Sequence, residues 1–277
     1  MKKILVPVDT SKVSKAAVIY AISLAETLGG EIILLSVINA SSTSSALVSW
    51  RMIEQQMVSK EQEDVAKMLR EIYEATGTTR KITHKHVLGF PVHEVINMFV
   101  AENKIDLVVM GTSGAHGLKK VLAGSNTASV IDTCSVPVVT VPITTSPKRI
   151  KKIVYATDMT RLDKEIKTIA GFARPFGADI EIVHLTPEGQ KKRNRTELEQ
   201  ILIRMAKYPK IHLSVTKGVD IAKSLRVFAA KHKADMIVMF THELAFFEKL
   251  LGKGNTRLVA FESTVPLLAF NRTNSQL

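Results

Sequence analysis

The feature that most constrains this chain is an internal repeat, because a repeated unit must fold, and bury its apolar residues, twice over. The segment KILVPVD at 3–9 returns as KIVYATD at 152–158, and LGGEIILLSV at 28–37 returns as FGADIEIVHL at 176–185. Further on, Gly89 matches Gly218, IDLVVM at 105–110 matches ADMIVM at 234–239, Asn126-Thr127 matches Asn255-Thr256, and Val136-Pro137 matches Val265-Pro266. The register is constant on either side of one length difference, which falls between the second apolar run and Gly89. The 277 residues therefore divide into two domains of ordinary size. The polar stretch Thr144–Pro147 breaks the periodicity and makes the natural linker, giving expected domains of 1–145 and 146–277.

Within the first copy, short β-rich apolar runs at 3–8, 31–38, 82–88, 105–110 and 136–141 alternate with stretches of helical spacing at 12–28, 47–77, 92–103 and 118–133. Ala16, Val18, Ile19, Ile22 and Leu24 supply the apolar face of the first helix, and Gly29-Gly30 closes it. Ile53, Met57, Val65, Met68 and Ile72 repeat at a helical period through the longest one. Strands that are apolar almost throughout, as at 107–110, suit a parallel sheet covered on both faces. Alternating strand and helix then predicts an α/β chain: two tandem Rossmann-like, doubly wound domains, each with a five-stranded, mainly parallel sheet.

A doubly wound sheet binds ligands beyond the C-terminal ends of its strands, where strand order reverses. After the fourth strand stands Gly111-Thr-Ser-Gly114, and nine residues later Gly124, Ser125, Asn126 and Thr127 lead into a helix. Glycines there let the backbone turn sharply and approach phosphates. Free N–H groups near a helix start, with the hydroxyls of Ser125 and Thr127, are phosphate donors. Asp9, ending the first strand, is placed to accept from a ribose hydroxyl. The pattern is neither a Walker A loop nor a Gly-x-Gly-x-x-Gly fingerprint. Glycines at such places also simply end strands and cap helices.

The spacing Gly111-x2-Gly114-x9-Gly124-Ser125, the opening strand at 4–9 and the closing SVPVV at 135–139 together resemble the ATP-binding branch of the universal stress protein family. The resemblance covers the whole chain, twice. It implies a fold like that of the adenine nucleotide alpha hydrolases, with ATP, alone or with Mg2+, as cofactor. It would place Pro7, Val8 and Asp9 at ribose and base, and Val37 beside the adenine. Met110, Gly111, Gly114, Gly124, Ser125, Asn126 and Thr127 would surround ribose and phosphates. Asn126 stands where the family often has a small apolar residue. The resemblance also implies that the last strands, 136–141 and 265–270, cover each other in an intramolecular pseudo-dimer.

In the second copy Phe240 replaces Gly111, Glu243 replaces Gly114, Lys253 replaces Gly124 and Ala156 replaces Pro7, while Asp158 is kept. An aromatic ring in the ribose and phosphate space and a carboxylate beside phosphate both oppose a nucleotide. One site per chain is expected.

Charge separates the halves too. Residues 1–145 carry 14 Lys and Arg against 13 Asp and Glu, and residues 146–277 carry 24 against 13, so +1 and +11 make up the net +12. Such asymmetry can mark an anionic partner at the second domain, but a solvated set of helix faces is the favoured reading. The sharpest run, Lys191-Lys192-Arg193 with Arg195, falls at a helix start, where cations are unfavourable. No run reaches the roughly 20 apolar residues of a membrane span, and the one cysteine, Cys134, fits a reducing compartment, so a cytoplasmic location is expected. His84 and His86 point to one face of a strand and could share a metal, but no third ligand has suitable spacing and no metal is expected. Asp9 is the one carboxylate placed at the pocket, and hydrolysis would need a base, a metal and transition-state donors. The residues favour a nucleotide-binding stress or regulatory module with at most slow ATPase activity. The alternative is an adaptor that binds no nucleotide, with a basic second domain holding an anionic partner such as a phosphorylated lipid precursor.

Overall fold

A computed structural model describes residues 3–39, 47–112, 125–157, 159, 161–186, 195–217, 221–241 and 264–271. The chain folds as two compact units, Met1–Pro147 and Lys148–Leu277.

The first unit runs β1 (Lys3–Val8), α1 (Lys12–Leu28), β2 (Glu31–Ile38), α2 (Leu47–Thr76), β3 (Ile82–Leu88), α3 (Val92–Asn103), β4 (Leu107–Thr112), α4 (Ser125–Thr133) and β5 (Val138–Pro142). Its strands lie in the order β3-β2-β1-β4-β5, every pair parallel. The chain winds outward from β1 to β3, then crosses back to β4 on the other side of β1, so strand order reverses between β1 and β4. Ile4, Leu5, Leu34, Leu35, Leu107, Val108 and Val109 are fully buried, as expected of central strands covered on both faces.

Local chemistry sets the helix ends. The Ser11 hydroxyl accepts the Ser14 N–H at 3.2 Å and starts α1. Gly29, at φ 73°, donates its N–H to Ala25 and stops it. Helix α1 is covered over more of its surface than its apolar spacing suggests. Ala17, Tyr20 and Ala21 are buried as well as Val18, Ile22 and Leu24, whereas Ala16 and Ile19 are half-exposed. In α2 the C-terminal half seats on the sheet through Val65, Met68 and Ile72, and Ile53 and Met57 are only partly covered.

Two strands are shifted from the sequence expectation by at most two residues. Strand β4 begins at Leu107 and runs through Gly111 to Thr112, where the apolar run 105–110 was expected to be the strand. Ile105 and Asp106 instead form the entry: the Ile105 N–H donates to Val100, and the Asp106 carboxylate accepts the Lys3 N–H at 2.9 Å. Strand β5 begins at Val138 rather than at Val136, and Pro137 contributes only its carbonyl, to the Val108 N–H. The pairing of Gly111 with Val141 and Thr112 with Pro142 carries both strands toward the site edge.

The second unit runs β6 (Lys152–Thr157), α5 (Leu162–Ala173), a short 3-10 turn (Arg174–Phe176), β7 (Asp179–Thr186), α6 (Arg195–Ala206), β8 (Ile211–Lys217), α7 (Ile221–Lys231), β9 (Met236–Thr241) and β10 (Leu267–Asn271). Its strand order is β10-β9-β6-β7-β8, again all parallel. Read in chain order, this is the winding of the first unit.

Candidate functional site

At the reversal point of the first unit, the C-terminal ends of β1 and β4 stand side by side. Pro7 is half-buried on β1, Val8 is buried, and Asp9 is exposed just past the strand end. The Asp9 carboxylate does not swing free, since one oxygen accepts the Ser11 N–H at 3.1 Å, a local turn that ties it to the backbone just past the strand. Between them Thr10 holds a left-handed backbone at φ 59°, an uncommon conformation for a β-branched residue. Met159, the matching residue of the second unit, has φ 67°. The strained corner therefore belongs to this β–α connection itself, whatever the site beside it holds. Val37 is half-buried near the end of β2, the neighbouring strand.

On β4, Met110 is buried and Gly111 is half-buried. A Cβ built on Gly111 would lie 2.2 Å from the Val13 carbonyl oxygen in the first turn of α1. The glycine is thus required by the close approach of helix to strand, independently of any ligand. Thr112, next along, is 1% exposed, and its hydroxyl has no hydrogen-bond partner among the described residues. The sequence reading ended the strand at Met110 and missed this residue. The signal was present: a hydroxyl directly after an apolar strand at the edge where ligands bind. Ser125 opens α4, Asn126 is exposed and Thr127 is 5% exposed. Gly114, Gly124 and the side chain of Ser125 lie outside the described residues. The structure thus brings Pro7, Val8, Asp9, Met110, Gly111 and Thr112 to one sheet edge.

The same place in the second unit is filled. Phe240, at the position of Gly111, is 2% exposed; it stacks on Phe270 (ring centroids 4.9 Å, 18°) and meets Tyr155 edge-on (5.9 Å, 72°). The Tyr155 hydroxyl donates to the buried Glu165 of α5. Helix α5 cannot approach β9 as closely as α1 approaches β4, because a ring occupies the space a hydrogen has in the first unit. Asp158, Glu243 and Lys253 lie outside the described residues.

A second polar cluster sits away from the reversal point. Ser36 on β2 is 3% exposed; its hydroxyl donates to Glu61 of α2 and lies 3.0 Å from His84 Nε2 on β3, which is 3.3 Å from the same carboxylate. Burial pushes the His84 pKa below the ordinary imidazole value; Glu61 opposes the shift, and His86 adds to it. No group of three His, Cys, Asp or Glu suited to a metal occurs among the described residues. Cys134 is fully buried and its thiol is pushed up by burial, as expected of an inert packing cysteine. No helix among the described residues is long and apolar enough to cross a membrane. The basic run at 191–194 lies outside the described residues, and Arg195 is the exposed first residue of α6.

A parallel sheet wound outward from a central reversal, with a carboxylate and a glycine-bearing strand end at that point, defines a doubly wound α/β protein. Residues 1–142 match the Universal stress protein family, and the chain belongs to it. A universal stress protein of Methanocaldococcus jannaschii is 33% identical over 142 residues, which is 50% of this chain and 81% of that protein. A universal stress protein of Archaeoglobus fulgidus has the same fold across the full length, with a TM-score of 0.73 at 22% identity, covering 98% of each chain. A functionally unknown protein from Pseudomonas aeruginosa aligns with a TM-score of 0.60 at 17% identity, over 98% of this chain and 92% of that one.

Proposed function

We propose that this protein binds one adenine nucleotide, ATP by preference, in its first unit, and that occupancy acts as a regulatory signal with at most slow hydrolysis. The observation that carries the proposal is the contrast between two strand ends of one winding. In the first unit the reversal point keeps a glycine on β4, a carboxylate held by a local turn and, at Thr112, a buried hydroxyl without a partner among the described residues. In the second the corresponding position is packed with three aromatic rings. Asp9 would accept from the ribose, and Pro7, Val8, Val37 and Met110 would line the base and sugar. The backbone at Gly111, Gly114 and Gly124, with Ser125, Asn126 and Thr127, would hold the phosphates at the start of α4. Bound Mg2+ would offset phosphate charge, and Asp9 is the carboxylate among the residues placed at this edge that could help hold it. The chain itself contributes positioning and hydrogen bonding, and the residues placed at this edge include no second acid for water activation.

Nucleotide extracted from the purified protein, and calorimetric titration with ATP, test the proposal. The expected stoichiometry is one per chain, and ATP at a hundred times its Kd should add about 2.7 kcal/mol of stability. Gly114→Asp and Gly124→Asp should each abolish binding in a folded protein, by bulk and negative charge beside the phosphates. Unchanged affinity in both would put the site elsewhere, and a stoichiometry of two would refute the filled second site.

A further inference from the structure

We infer that the N-terminal edge of the second unit's sheet, opposite the edge where ligands of such folds bind, is a docking surface for the phosphate backbone of a nucleic-acid duplex. In a parallel sheet, strand starts and helix C-termini share one edge, and in this unit cations collect there. Lys148, Arg149 and Lys151 precede β6, and Arg174 follows α5. Lys207 and Lys210 lie between α6 and β8, Lys231 ends α7, and Lys233 lies between α7 and β9. Backbone hydrogen bonds place these segments together: Asp179 N–H to Lys151, Ile180 N–H to Lys210 and Asp235 N–H to Lys152. All eight cations are exposed.

The described acids on this edge are Asp179 and Asp235, both half-buried, and the ion pair there is Lys148 with Asp235 at 2.6 Å. Several cations are fixed without being neutralised. Arg149 donates to the Phe176 carbonyl, Arg174 to that of Lys207 at 3.0 Å, and Lys210 to that of Gly177 at 2.8 Å. Lys151, Lys207, Lys231 and Lys233 have no carboxylate within ion-pair distance among the described residues. Cations do favour helix C-termini, but that preference fails to explain the contrast with the first unit. There the same edge carries Lys3, Arg80, Lys81 and Lys104 among Glu26, Glu31, Glu74, Glu102 and Asp106.

The side-chain chemistry selects the partner. Of the aromatic rings near this edge, Phe176 and Tyr208 are 3% and 5% exposed, and His232, between Lys231 and Lys233, is half-buried and stacked on Phe228 (ring centroids 3.9 Å, 13°), so none of them is an exposed platform for stacking single-stranded bases. Lysines carrying point charges, with both arginines tied to carbonyls, suit phosphates rather than base edges. A lipid surface would need an apolar second signal for stable binding. Among the described residues of this unit the exposed large apolar ones, Ile201, Val215 and Val227, lie within the bodies of α6, β8 and α7. A duplex backbone requires the cations alone.

The test is fluorescence anisotropy of the full-length protein with a labelled DNA duplex of about 20 base pairs, from about 50 to 200 mM salt. Binding should be independent of sequence and fall linearly in log K against log salt. The combined Lys151→Glu, Lys207→Glu and Lys231→Glu variant should lose at least about tenfold in affinity, with a slope shallower by about 0.9 per lost phosphate contact. Lys81→Glu with Lys104→Glu, on the matching edge of the first unit, should change little. No duplex binding at low salt, loss only on reversing Lys192 and Arg193, or capture by anionic vesicles in place of DNA would each overturn the inference. Far-ultraviolet circular dichroism confirms that the variants are folded. ATP binding is a separate measurement, and its failure leaves this inference standing.

Discussion

At the scale of single residues, Gly111 illustrates why a motif glycine need not report on a ligand. With the Val13 carbonyl 2.2 Å from where its Cβ would be, Gly111→Ala should destabilise the protein by about 1–3 kcal/mol through overpacking, with or without nucleotide. A denaturant melt without ligand checks this, and an unchanged midpoint would mean that α1 yields freely. His84 has the opposite character, a histidine set by its partners rather than by its own spacing. Its pKa is held down by burial, so below the ordinary value near 6.5 the unfolded chain binds a proton the folded chain resists. Stability on this account is full above that value and declines as pH falls through the window beneath it. Imidazole NMR titration should give a midpoint under 6.5 for His84. Glu61→Gln should move it lower still, because the Glu61 carboxylate favours the protonated ring. A midpoint raised by that substitution would contradict the cluster.

At the scale of elements, caps and entries decide where each piece begins. The Ser11 hydroxyl satisfies the Ser14 N–H of α1, and Ser11→Ala should cost about 0.5–2 kcal/mol in a thermal or denaturant melt. Ser11 also donates to Asp9, through its backbone, so this substitution leaves that carboxylate in place and nucleotide affinity should persist. Strand β6 is entered through Asp235. Burial alone would raise its pKa, but the Lys148 ammonium and the N–H groups of Lys151 and Lys152 together hold the carboxyl below the usual range. Asp235→Asn should destabilise by about 1–3 kcal/mol through weakened charge-assisted hydrogen bonds. That loss should be visible at neutral pH and disappear as acid protonates the carboxylate of the unmodified protein.

At the scale of the whole molecule, one winding occurs twice with opposite treatment of the reversal point: α1 closes onto Gly111 in the first unit, and aromatic rings pack around Phe240 in the second. The apolar last strand of each half carries the sequence expectation that this edge is covered in the full chain, since an unpaired apolar edge invites association. A fragment of residues 1–147 should therefore self-associate in light scattering, and a well-behaved monomeric fragment would remove that expectation.

Read alone, the sequence determined the alternation of strand and helix, the bounds of β1, α1, β2, β3 and α3, the family, and the loss of glycines in the second half. These follow from periodicity and residue type, which act over a few residues. Tertiary structure decided what depends on approach between distant segments. The start of β4 moved to Leu107 because its register is set by β1 and β5 rather than by its own apolar run. The buried hydroxyl of Thr112, the contact that demands Gly111, the Ser36–Glu61–His84 cluster and the cationic edge of the second unit all join residues far apart in the chain. Spacing cannot encode such meetings, because parallel strands bring together side chains that the crossover helices separate in sequence.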